Sequence, residues 1–407
     1  MPTNVNDCCN VVSWVHFGDL HITGADEQNY QDFLTLIAHA NANLAGGVDF
    51  AVLPGDNAED GTEEQFLLVK QAIDRLTIPL EIIPGDHDSK TGSLDLYRRW
   101  LEPELWRSRS IGSYRCLFLN ARDNGSSKGF GIGAAQMEWL ARDLAEADAR
   151  EQRPVLFVHT YPSELGDGAA TVRALMRKHR VVMVDMGHTH YNEIANDGRT
   201  IYAATRSTGQ IEEGPAGFSI TNLDDGVVSW KFKPLGGWPF VMITSPADQA
   251  LIIDPDQPEQ LVRGVAEVRA KTWDALGIVS AMCRVDSGPW RPMRRIGTSA
   301  GWCCAWDSSG SADGVHRLTV RVRTVDGREA SDAISVLTSQ LGHHEMHQCR
   351  PGDEANAIGA YPEKGILGTQ LGPNKNGRMV NAKVITAKKL ARVSLGPGGH
   401  DAISGAA

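Results

Sequence analysis

With 407 residues, the chain is too long for one small core and calls for two or three domains. Its formal charge of −10 argues against a general nucleic-acid or membrane-surface binder, since neither polyanion attracts an acidic surface, and leaves nucleic acid an unfavoured partner. Seven cysteines (Cys8, Cys9, Cys116, Cys283, Cys303, Cys304 and Cys349), odd in number, with two adjacent pairs and no C-x-x-C spacing, point to a reducing cytoplasm. The polar start lacks the basic-then-apolar run of a signal peptide, and no apolar stretch approaches the ~20 residues of a membrane span.

In chain order, apolar runs that read as buried strands each end in an acidic or histidine motif. Residues 11–17 lead into Gly18-Asp19-Leu20-His21 and then a helical pattern over 27–45, with Phe33, Leu34, Ile37 and Leu44 at helical spacing. Residues 50–53 lead into Gly55-Asp56-Asn57 and a second helical pattern over 62–76. Residues 80–83 lead into Gly85-Asp86-His87-Asp88; a third helical pattern covers 133–147. Residues 155–158 end at His159, and 181–186 end at Gly187-His188-Thr189-His190. The motifs recur at roughly the 30-residue size of a βαβ unit. Residues 200–204, 218–222 and 227–232 then read as strands without helices between them.

The ligands therefore gather at one sheet edge, in the crevice beyond the carboxyl ends of the strands. In an extended segment, residues two apart point the same way, so Asp19 and His21 can grip one ion and His188 and His190 can face one site together. Glycine beside each acid or histidine lets backbone approach the metals closely. Mixed carboxylate and imidazole ligation suits Mn or Fe first, with Zn or Co also compatible.

This order resembles the calcineurin-like metallophosphoesterase superfamily, whose pattern runs D-x-H, G-D, G-N-H-[DE], H, G-H-x-H, over about residues 10–235. The resemblance implies an α/β fold of two mixed β-sheets packed as a sandwich and flanked by helices, over 1–240. It implies two divalent ions: Asp19, His21 and His190 at the first, Asp86, His159 and His188 at the second, and Asp56 bridging. Two such ions clamp the phosphoryl group and share a hydroxide, which is the nucleophile. His87 then protonates the leaving alkoxide, and Glu59, ahead of Asp60 and Asp88, is the acid expected to orient it; the alternative for Asp60 and Asp88 is that they cap the helices that follow. Tyr161 and Arg206, each just past a strand end, are candidate substrate contacts, against a packed aromatic and a surface salt bridge.

Position 86 departs from the family, which usually has Asn there. The added negative charge disfavours a dianionic monoester and tilts the expected substrate toward a small monoanionic diester, unless Asp merely replaces Asn isosterically. Cyclic 3′,5′-nucleotides are the first candidate class, although that branch often carries two adjacent histidines where this chain has His159-Thr160. A phosphomonoesterase or nucleotide hydrolase, a nuclease, and a non-catalytic metal-binding scaffold are the alternatives.

Beyond residue 240 the texture changes to short, β-branched or alternating segments over 262–270, 278–286, 302–306, 316–325 and 333–338. That pattern reads as an all-β, Ig- or fibronectin-like sandwich over 241–340, with Trp290, Trp302 and Trp306 in its core or sheet packing. Residues 341–407 read as a small β-rich appendage, with the His343 to Cys349 stretch as a solvated linker. Residues 351–407 carry seven Lys or Arg against four Asp or Glu. The C-terminal β regions are the expected route to any homo-oligomer.

Overall fold

The computed structural model describes residues 11–123, 129–210, 215–297, 301–342 and 344, and two short strands at 360–361 and 366–367. The readings placed on Cys8, Cys9, the His343 to Cys349 stretch apart from His344, and most of the C-terminal appendage fall outside the described residues. Among the described residues, no helix is long and apolar enough to cross a membrane.

The first sheet takes β1 (Val12–Phe17), β2 (Phe50–Leu53) and β3 (Leu80–Ile82) as parallel neighbours. Between them run α1 (Gln28–Asn43) and α2 (Glu63–Ile73), whose Thr62 N-cap accepts from the Gln65 amide. After β3 come α3 (Asp95–Trp100) and the second sheet: β4 (Arg107–Ile111), β5 (Tyr114–Phe118), β6 (Arg153–Phe157), β7 (Met183–Met186), β8 (Glu193–Asn196) and β9 (Ile201–Ala204). Helices α4 (Ala134–Ala149) and α5 (Ala169–Lys178) lie between its parallel strands. Its order is β4-β5-β6-β7-β9-β8, with β4 and β8 antiparallel at the edges. The antiparallel pair β10 (Gly217–Asp224) and β11 (Val227–Pro234) then returns to the first sheet beside β1, giving β11-β10-β1-β2-β3. The expected α/β architecture of two mixed sheets is thus present.

Three apolar clusters hold these layers. Trp14, Phe50, Phe118 and Phe157 fill the space between the sheets, with Phe118 stacked on Phe157 at 4.6 Å between ring centroids. Phe17, Phe33, Phe66 and Tyr97 pack α1 to α3 on the first sheet, and Leu140, Leu144, Val172 and Met176 pack α4 and α5 on the second. Both faces of each sheet are covered, which is why β1, β2 and β7 are buried at every position.

The second unit is a sandwich of two four-stranded sheets. One contains β12 (Phe240–Ser245), β13 (Val265–Trp273), β16 (Arg294–Ile296) and β17 (Gly301–Asp307). The other contains β14 (Ile278–Val285), β15 (Arg291–Pro292), β18 (Gly314–Thr324) and β19 (Glu329–Thr338). Trp302 and Trp306 are buried in its core, but Trp290 is not: its indole lies on the outer face between the guanidiniums of Arg284 and Arg321. The Gly288-Pro289 turn before it folds the side chain away from the core. Between the sheets, the free thiols of Cys283 and Cys304 face each other.

The sandwich docks on the α/β unit through buried polar contacts. Lys271 Nζ donates to Ser13 Oγ at 2.7 Å, Trp273 Nε1 donates to the Gly47 carbonyl at 3.0 Å, and Lys231 pairs with Asp332 at 3.3 Å.

Candidate metal centre

Asp19 and His21 follow β1, Asp56 follows β2, Asp86 follows β3, His159 follows β6, and His188 and His190 follow β7. The facing sheets bring these strand ends to one edge. His21, Asp56, His188 and His190 have φ of 45°, 51°, 63° and 62°, a left-handed region that costs a non-glycine residue of order 1–3 kcal/mol. Such conformations persist where the surrounding contacts over-determine them. Close approach explains two of the motif glycines: a Cβ on Gly85 would lie 2.1 Å from Asp56 Oδ1, and one on Gly187 would lie 2.2 Å from Asp19 Oδ1.

The seven residues form two groups, Asp19, His21, Asp56 and His190, and Asp56, Asp86, His159 and His188. In each group one ligand atom per residue lies within 4.8 Å of all the others, and Asp56 belongs to both. In the first group His21 Nε2 and His190 Nε2 face each other at 3.0 Å. In the second, His159 Nε2 stands 3.3 Å from both Asp56 Oδ2 and Asp86 Oδ1.

The protein holds these groups from behind. His159 Nδ1 lies 2.9 Å from the Pro54 carbonyl; donation there leaves Nε2 as the free lone pair, the tautomer a metal ligand needs. The His188 amide donates to Asp19 Oδ2 at 2.7 Å, and the His87 amide donates to Asp56 Oδ1 at 2.9 Å. On the inner side, Asp19 Oδ1, Asp86 Oδ1 and His159 Nε2 are buried atoms without a protein hydrogen bond. Buried, unsatisfied oxygen and imidazole donors of this kind fit divalent cations.

The protonation equilibria say the same. Burial pushes Asp19 up to about 8, with Asp56 and Asp86 adding repulsion, against the opposing pull of His159. Burial also acts to raise Asp56, but His159 outweighs it and holds Asp56 down to about 2. Burial acts to raise Asp86, but the neighbouring His159 and His188 imidazoles outweigh it and hold Asp86 well below the carboxylate range. Burial pulls His21 down to about 4 and His190 down to about 3, while His159 is raised well above 6.5 because its carboxylate neighbours outweigh burial. A buried carboxylate that resists ionisation at Asp19, beside imidazoles that resist protonation at His21 and His190, is what a cation relieves.

Glu59 does not serve His87 alone. The His87 Nδ1 sits 2.8 Å from the Glu59 main-chain carbonyl and 3.4 Å from its carboxylate. The other carboxylate oxygen stands 2.9 Å from Nδ1 of His21 and accepts from Gln210 at 2.9 Å. Glu59 therefore backs a ligand of the first group as well as positioning the proposed acid. We predict that Glu59→Gln lowers metal affinity at the first position by roughly 10–100-fold, the usual effect of losing a carboxylate behind a ligating histidine. Metal titration by calorimetry checks this; unchanged affinity would mean that Glu59 acts on His87 only.

Asp60 and Asp88 are not helix caps. Asp60 exchanges hydrogen bonds with Gln65, and Thr62 caps α2. Asp88, fully buried, accepts from the amides of Asn57, Ala58 and Gly85 and from the Asn57 side chain at 2.9–3.0 Å, tying the loops after β2 and β3 together. Tyr161 and Arg206 are both buried. Tyr161 is 3% exposed with its hydroxyl 2.8 Å from Glu193, and Arg206 is 4% exposed with its guanidinium over the Phe232 ring at 3.8 Å. Neither the salt bridge nor the strand-end position read from sequence distinguishes a buried arginine from an exposed one.

Comparison with known proteins extends this picture. A probable glycerophosphodiester phosphodiesterase of Arcobacter nitrofigilis is 26% identical over 37% of this chain, and the match spans 58% of that protein's length. A glycerophosphodiester phosphodiesterase of Enterobacter lignolyticus is 27% identical over 43% of this chain and 69% of its own. A probable cyclic nucleotide phosphodiesterase of Synechococcus is 24% identical over 47% of this chain and 74% of its own. The family model described as calcineurin-like phosphoesterase matches residues 13–192, a stretch that contains all seven converging side chains. Over that stretch, the chain is similar to the calcineurin-like phosphoesterases that the model describes.

Proposed function

We propose that the chain hydrolyses a small phosphodiester at a centre holding two divalent metal ions, with Asp19, His21 and His190 at one position, Asp86, His159 and His188 at the other, and Asp56 common to both. The observation that carries this reading is the pair of four-residue groups that share Asp56. When bound, two such ions lower the pKa of water and offset charge on phosphoryl oxygens. His87 lies beside the first group, its ring 4.5 Å from that of His21, and is assigned to protonate the departing alkoxide. Mn or Fe best matches three carboxylates and four imidazoles in the two groups.

Both the glycerophosphodiester and the cyclic-nucleotide names among the relatives describe diesters. Glycerophosphodiesters therefore stand beside 3′,5′-cyclic nucleotides as candidate substrates. A panel of both, with bis-p-nitrophenyl phosphate and p-nitrophenyl phosphate, is to be assayed with Mn. Diester turnover above monoester turnover is the expected result; a protein that retains two ions and hydrolyses none of the four would contradict it.

Asp86 supplies the charge argument for diesters. Its side chain is 34% exposed, at the open side of the second group. We predict that Asp86→Asn raises the ratio of monoester to diester kcat/KM, since a second phosphate charge meets less repulsion. Metal occupancy is measured alongside. An unchanged ratio at full occupancy would leave Asp86 a ligand without a part in substrate choice.

A further inference from the structure

The second sheet of the sandwich carries an unneutralised cationic face. Along β18, Leu318, Val320 and Val322 are buried in the core, so alternation sends Arg317, Arg321 and Arg323 to the opposite side. In the β14–β18 register Arg284 lies opposite Thr319, between Arg317 and Arg321. The β14–β15 turn lays Trp290 against this row, 4.5 Å from the Arg284 guanidinium and 4.6 Å from that of Arg321.

None of these four arginines forms an ion pair with a carboxylate among the described residues, and the Arg284 Nε finds no hydrogen-bond acceptor. Glu329, opposite Arg323 in the register, leaves that guanidinium unpaired. Elsewhere in the same sandwich the pattern is different: Arg269 pairs with Asp224, and Arg328 with Asp274 and Asp326. Leaving four guanidiniums together without partners is unusual in a chain of net charge −10. The total charge does not cancel the local field, because screening limits it to about 8 Å at physiological ionic strength.

We propose that the outer face of the β14–β18–β19 sheet binds the phosphate backbone of a single-stranded nucleic acid. Guanidiniums bond phosphate oxygens bidentately, and a row of them along a sheet face offers a cationic track for a phosphate backbone. Arg321 and Arg323, two residues apart, are about 6.7 Å from each other along the strand, so the charges form a line. Residues 351–407 of the chain do not complement this face, since their seven Lys or Arg against four Asp or Glu give them the same sign. A bilayer is the weaker occupant because Trp290 is packed on two guanidiniums instead of projecting as an anchor.

The test is fluorescence anisotropy of a labelled, mixed-sequence 20-nucleotide DNA strand with the full, metal-loaded chain, over a series of salt concentrations. Four phosphate contacts predict a slope of log K against log salt near −3, at roughly −0.7 per contact. Arg317→Gln/Arg321→Gln/Arg323→Gln should weaken binding at least tenfold and reduce the slope by roughly 2, with the thermal midpoint held. Should that triple variant fail to fold, Arg323→Gln alone should reduce the slope by roughly 0.7. No binding at 50 mM salt, an unaltered slope in the variants, or preference for phosphatidylserine vesicles over the strand would each overturn the proposal. Because the readout is binding, it stands apart from the outcome of the diester panel.

Discussion

Asp56→Asn is expected to remove both metal ions and to lower diester hydrolysis by at least about 100-fold. Losing a carboxylate from behind a ligand already costs 10–100-fold, and here the carboxylate belongs to both groups. Its Oδ2 lies 3.3 Å from His159 Nε2 and 3.7 Å from His21 Nε2, so one oxygen faces both sets of imidazoles. The substitution is otherwise mild. Asn has the same shape, tolerates the φ of 51° at this position, and can still accept the His87 amide hydrogen bond. In the metal-free protein it also removes one of three crowded carboxylates, and so relieves Asp19, which burial, with repulsion from Asp56, pushes up to about 8. Against that relief it loses the attraction of His159, which holds Asp56 down to about 2, so the metal-free variant is melted beside the metal-free parent as its own reference. The gain in melting temperature that Mn gives the parent should disappear. Elemental analysis beside the melting curves decides the matter. Retention of one full ion with activity intact would show that Asp56 serves a single position.

The converging residues are legible in the sequence because each follows a strand whose burial on both faces makes it an unbroken apolar run. The run locates the strand, its end locates the sheet edge, and parallel order places all the ends on the same side. The glycines add the close approaches at Gly85 and Gly187. Elements without such runs are harder to read. Strand β4, Arg107–Ile111, is an edge strand of mixed burial whose arginines pair with Glu81, so it carries no apolar signature. Helix α3 has six residues, too few to show a period. Strand β12 is a continuous apolar run, but nothing in it announces that it begins the sandwich.

Roles set by tertiary partners are equally hidden. Asp88 looks like any turn aspartate until Asn57, Ala58 and Gly85 are found around it. Glu59 reads as a partner of His87 by its spacing from Asp56, yet its closest imidazole is His21, reached only because the loops after β1 and β2 run side by side, with the Leu20 and His21 amides donating to the Asp56 carbonyl. Trp290 reads as core because it is a tryptophan in a β-rich stretch. Its place is decided instead by two arginines that lie 6 and 31 positions away.

His87→Ala is expected to keep both ions while slowing cleavage of alkyl or ribose diesters far more than that of nitrophenyl diesters. His87 belongs to neither of the groups that share Asp56, and its backbone amide, which holds Asp56 Oδ1, survives the substitution. With Nδ1 directed to the Glu59 carbonyl at 2.8 Å, Nε2 is the nitrogen left to carry a proton to the leaving oxygen. An alkoxide needs that proton and a nitrophenolate does not. General acid catalysis contributes roughly 10²–10⁴-fold, so the alkyl diester should lose about that factor while the nitrophenyl diester loses little. Two measurements separate this from its rivals. Equal losses on both leaving groups would assign His87 to phosphoryl binding instead of proton transfer. A fall in metal content would make it a ligand, since one ligand atom each of His21, Glu59 and His87 also lie within 4.8 Å of one another. Only a loss that grows with the basicity of the leaving group, at full occupancy, makes His87 the acid.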